Sequence, residues 1–71
     1  MAVLTGQSRM QRIQEGRELQ AAMLEQELSY DAAAALWGIK RNEVHHEIKG
    51  SNKPMLAVVK HWLAGRRHDA G

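Results

Sequence analysis

Apolar residues recur along the chain at spacings of three and four, and no stretch alternates apolar with polar positions at a period of two, so the pattern predicts helices and no strands. Met10, Ile13, Leu19, Ala22 and Met23 trace a first helix from Ser8 to Glu27, with Ser8 and Gln11 as a capping-box start. Gly16 interrupts it and weakens it by roughly 1 kcal/mol relative to alanine. Ser29 is a good N-cap for a second helix, Asp31 stands in the first turn where the helix dipole favours negative charge, and Ala32 to Ala35 are strong helix formers. Gly38 supplies a left-handed backbone conformation and a sharp turn. A third helix runs from Arg41 to Lys49 and stops at Gly50; after Ser51, Asn52 and Lys53, Pro54 opens a fourth, where its missing N–H costs nothing in a first turn. Met55 to Ala64 continue that helix, closed by Gly65.

The fourth helix is apolar on more than one side. Met55, Leu56, Val58, Val59, Trp62 and Leu63 cover most of its circumference, so one face is expected to pack on the first three helices and the other on a second copy of the chain. Val59, Trp62 and Leu63 are the expected dimer interface; the alternative is that Met1 to Ile13 folds back over them. The predicted organisation is a flexible N-terminal arm over 1–7, one helical domain over 8–65 and a flexible C-terminal tail over 66–71.

A chain of 71 residues makes one domain, and at this size only roughly 60% of the unfolded surface is buried, so the core is thin. There is no cysteine, hence no disulfide to support that core, which points to a reducing compartment. Met1 to Leu4 is too short an apolar stretch for a signal peptide, and no later stretch reaches the length of a membrane span, so a soluble cytoplasmic protein is expected. The formal net charge of +2 is unevenly spread. Up to Trp37 three arginines meet five acidic residues, a net of −2; from Gly38 onward seven lysines and arginines meet three acidic residues, a net of +4. The second half therefore carries the basic surface that a phosphate-binding face requires.

Two short helices hinged at Trp37-Gly38-Ile39 form the pattern of a helix-turn-helix. Ala34 stands where a small residue lets the next helix cross closely, Gly38 makes the bend, Ile39 seals the underside of the turn and Val44 plugs the third helix into the core. With Ser29 before the second helix, Gly50 ending the third and Pro54 shortly after, the stretch from about Leu19 to Leu63 resembles the Cro and lambda-repressor-like group, the XRE family. That resemblance implies an all-α, compact domain of four to five helices that binds operator DNA as a homodimer, with the third helix in the major groove. The chain departs from the family pattern at three places. Lys40 stands where serine or threonine usually caps the recognition helix, and Tyr30 stands where glutamine usually clamps a phosphate. Glu47 takes the place of an apolar residue, so the end of the third helix is expected to be rotated or shortened.

On the third helix, Arg41 and Asn42 are the first candidates to read base edges, because arginine pairs bidentately with guanine and asparagine with adenine; His45 and His46 follow. Tyr30, Lys40, Lys49, Ser51, Asn52 and Lys53 are the candidate phosphate contacts, which position the protein without specifying sequence. His45, His46, His61 and His68 lack the i, i+4 spacing of a zinc helix, so no metal and no cofactor are expected. The chain also has no nucleophile elbow, phosphate loop or paired carboxylates in a recognisable context, which argues against an enzyme. The expected function is a sequence-specific transcriptional regulator, a repressor of the phage or mobile-element type, bound to double-stranded DNA. The alternative is a protein-interaction module, an antiactivator or adaptor, that keeps the fold and binds another regulator.

Overall fold

A computed structural model describes the backbone of residues 6–50 and 53–70 and the side chains of 6–50 and 53–66. The described residues form four helices and no strand: α1 (Gly6–Glu25), α2 (Tyr30–Trp37), α3 (Arg41–Lys49) and α4 (Ala57–Ala70). The fold is all-α. The expectation for 1–7 divides at Gly6, where α1 already begins; residues 1–5 lie outside the described part.

The buried face of α1 is Arg12, Gly16, Leu19 and Met23, a stripe at spacings of four, three and four. Leu19, Met23 and the half-buried Ala22 lie where the apolar pattern puts them. Met10 and Ile13 do not: Met10 is 67% exposed, and the inward positions beside it belong to an arginine and a glycine. Ser8 lies two residues inside the helix and so does not cap it. At the other end the Leu28 N–H donates to the Met23 carbonyl (2.8 Å) and the Glu27 N–H to that of Leu24 (3.1 Å). This is a Schellman closure, and its left-handed position is held by Glu27 at φ 54° rather than by a glycine.

Ser29 caps α2 as its sequence suggests, its hydroxyl accepting from the Ala32 N–H at 3.1 Å. Gly38 turns the chain at φ 67° and ψ 35°, and the Ile39 N–H closes on the Ala34 carbonyl at 3.0 Å. Ala33 is wholly buried in α2, and Ala34 is half-buried beside it and packed against the core. Lys40 precedes α3 in an extended conformation, and an ammonium cannot accept a bond from the helix N–H groups. The Glu43 carboxylate supplies half of a capping box instead, accepting from the Lys40 N–H at 3.3 Å.

Val44, Glu47 and Ile48 are the buried face of α3, which runs regularly to Lys49 and ends with the Gly50 N–H on the His46 carbonyl. The expected rotation or shortening of its end does not occur. Glu47 points inward because Arg12 meets it there: Arg12 Nη1 donates to the Glu47 carbonyl (3.0 Å), Nε to the Lys53 carbonyl (3.1 Å), and Nη2 lies 3.4 Å from the Glu47 carboxylate. The other carboxylate oxygen of Glu47 accepts from the Leu56 N–H at 2.9 Å, on the approach to α4. A single acidic side chain thus joins α1, α3 and the start of α4. Next to this pair α1 and α3 approach backbone to backbone, since a Cβ on Gly16 would run into the Ile48 carbonyl and lie 3.0 Å from that of Glu47.

Pro54 precedes α4 by three residues instead of lying in its first turn. The helix also passes through Gly65 to Ala70, so the expected closure at Gly65 is not found. Met55, Val59 and Leu63 point into the core that Leu19, Met23, Ala33, Trp37, Val44 and Ile48 build from the other helices. Trp62 meets Trp37 edge to face, ring centroids 5.6 Å apart, which links α4 to α2.

Candidate functional site

Three core positions on α3 decide what its outer surface displays. Because Val44, Glu47 and Ile48 point inward, the 3.6-residue period turns Asn42, His45, His46 and Lys49 outward at i, i+3, i+4 and i+7, and all four are exposed. Arg41 flanks this row on the side of α2. Glu43 leaves it, since its carboxylate folds back on the helix start.

Arg41, Asn42 and His45 meet Tyr30 of α2 around an open concavity of about 320 Å³. The turn at Gly38 brings the first turn of α2 beside the first turn of α3, which is why residues eleven or more positions apart share this mouth. The Tyr30 and His45 rings lie 6.0 Å apart at 45°. The Arg41 guanidinium carbon is 6.0 Å from the Tyr30 ring centroid, and Arg41 Nε is 3.6 Å from an Asp31 carboxylate oxygen. His46 lies outside the concavity, its ring 6.4 Å from that of His45.

The structure brings together Tyr30, Arg41, Asn42 and His45, and it places His46 and Lys49 on the same outward face of α3. Lys40 is exposed at the start of α3 and Lys53 is exposed beyond its end, while Ser51 and Asn52 lie outside the described residues. The expected dimer contacts need correction. Val59 and Leu63 are buried in the chain's own core, with Val59 wholly inaccessible, so they have no surface to offer a second copy. Trp62 is half-buried, and the large apolar side chains left exposed in this part of the described residues are Leu56, just before α4, and Val58 within it. The error comes from reading a helix with two apolar sides without knowing which side its neighbours take.

Sequence reasoning passed over Asp31 as a neighbour of Arg41, and it took Glu47 as a sign that the end of the third helix is rotated or shortened. The first had a weak signal, an acidic residue in the opening turn of a helix whose partner helix opens with arginine. Among the described residues no group of three or more histidine, cysteine or acidic side chains could hold a metal ion, and no helix is long and apolar enough to cross a membrane. Comparison with protein-family models, with curated proteins and with solved structures finds no match to this chain.

Proposed function

We propose that this chain is a helix-turn-helix DNA-binding protein, a transcriptional regulator that lays the outward face of α3 in the major groove. One observation carries the reading: Asn42, His45, His46 and Lys49 form a single polar and basic face, beside Arg41 and Tyr30, on a helix braced from behind by α1 and α2. Such a face matches what base edges and phosphates require, side chains with N–H donors on one surface of one helix. The cap at Ser29, the left-handed turn at Gly38 and the buried Val44 support the resemblance to the Cro and lambda-repressor-like group.

In this reading two copies bind a two-fold symmetric operator, their α3 helices about one DNA turn, roughly 34 Å, apart. Leu56 just before α4, with Val58 and the outer edge of Trp62 on it, is the apolar surface left for the second copy. Selection of bound duplexes from a random library tests the proposal. Enrichment of an inverted repeat supports it, and recovery of unenriched DNA from repeated rounds refutes sequence recognition.

A protein-interaction module is the second reading, and Leu24 and Leu36 favour it, being 74% and 56% exposed. The acidic residues of α3, which would repel phosphates, have structural roles: Glu47 is buried against Arg12, and Glu43 serves the start of α3. Absence of DNA binding even at low salt would put this reading first.

A further inference from the structure

Asp31 stands at the mouth of the candidate interface, where a carboxylate opposes phosphate binding. It lies against the one arginine of α3, with Nε of Arg41 3.6 Å from Oδ1 of Asp31. Both side chains are well exposed, 70% for Arg41 and 81% for Asp31, and an ion pair this open adds little to folding. Its geometry has a clearer consequence for recognition. A guanidinium is a rigid planar fork, and a carboxylate 3.6 Å from its Nε edge attracts that edge by charge, which biases the direction of the whole group. The Nη1 and Nη2 amino groups at the far end stay available for the two adjacent acceptors, O6 and N7, that guanine shows in the major groove. The Tyr30 ring, 6.0 Å from the guanidinium carbon, limits its movement on another side.

We infer that Asp31 is a positioning residue for base recognition. It draws the Nε edge of Arg41 toward itself so that the Nη pair addresses a guanine, and its negative charge weakens attachment to the phosphate backbone alone. The two effects act together, one raising discrimination and the other lowering background. This inference rests on the DNA-binding reading above and names the base that reading leaves open.

The test uses the full chain and the duplex that wild-type protein selects, compared with duplexes changed one base pair at a time and with a scrambled duplex. For wild type, replacing one guanine in each half-site should weaken binding by about tenfold or more, and Arg41→Ala should abolish that preference at this position alone. Asp31→Asn should cut the same preference by about threefold or more while tightening binding to the scrambled duplex, and Asp31→Glu should restore the preference. Circular dichroism of Asp31→Asn should match wild type, since the pair is exposed. An unchanged guanine preference in Asp31→Asn, with the preference lost in Arg41→Ala, overturns the role of Asp31 and leaves the DNA reading standing. Asp31→Glu behaving like Asp31→Asn, or no position whose preference depends on Arg41, also overturns it. If wild type selects no duplex, both the inference and the DNA reading fall.

Discussion

Arg12 of α1 and Glu47 of α3 face each other inside the protein, Nη2 3.4 Å from a carboxylate oxygen, with side chains 1% and 8% exposed. Removing one member strands a buried charge, which costs about 3–5 kcal/mol. A chain of this length has roughly 4–10 kcal/mol of total stability, so Arg12→Met or Glu47→Leu should remove between about a third and all of it. Glu47→Gln keeps an oxygen for the Leu56 N–H and removes only the charge, which isolates the ionic part of the loss. In urea denaturation the double variant Arg12→Met, Glu47→Leu should be less destabilised than the two single losses added together. Additive losses would mean that the pair is not coupled.

Two glycines in helices should respond to alanine with opposite signs. A Cβ on Gly16 runs into the carbonyl of Ile48, so Gly16→Ala must push α1 away from α3, at a cost of about 1–3 kcal/mol or more. Gly65 has nothing within 4 Å of a Cβ and lies inside α4, so Gly65→Ala should stabilise by up to about 1 kcal/mol. Thermal unfolding of both variants checks the pair; the same sign for both contradicts the packing described.

Glu27 occupies a left-handed position, φ 54°, that a residue with a Cβ adopts at a penalty. Glu27→Gly should relieve it and raise stability by about 0.5–1 kcal/mol, after allowing for glycine's greater freedom in the unfolded chain. A fall in stability would place the value of Glu27 in its side chain.

Val58 and Val59 are neighbours in α4 with opposite surroundings, the first 44% exposed and the second wholly buried. Val59→Ala should cost roughly 2 kcal/mol by lost burial and the cavity left behind, while Val58→Ser should stay within about 0.5 kcal/mol of wild type. Sedimentation of Val58→Ser reports on self-association without the complication of a damaged core. A shift toward monomer supports the α4 contact proposed above, and an unchanged distribution removes Val58 from it.

Much of the α2 to α3 region was legible in the sequence because its signals are local. Ser29 caps within three residues, Gly38 needs only its own φ, and Val44 and Ile48 share a helical face. The first half of the α1 face was not legible, since a charged residue is expected outside and the partner of Arg12 lies 35 positions further on. By local rules Gly16 is a weak point in a helix; its purpose, the close approach of α3, exists only in the folded chain. Gly65 shows the converse, a glycine read as a stop signal in a helix that continues through it. At the candidate site the residue types of α3 were readable from its sequence. That Tyr30 and Asp31 stand beside Arg41 depends on how α2 and α3 cross.

The central claim is that the outward face of α3 meets DNA, and amide chemical-shift mapping tests it without knowledge of the operator. A short duplex of arbitrary sequence should bind with a Kd on the order of 10⁻⁴–10⁻⁶ M at physiological salt and more tightly at low salt. The account predicts that the amides of Tyr30, Arg41, Asn42, His45, His46 and Lys49 shift together. Shifts confined to α4 or to the surroundings of Leu24 and Leu36, or no shifts at all, would contradict it.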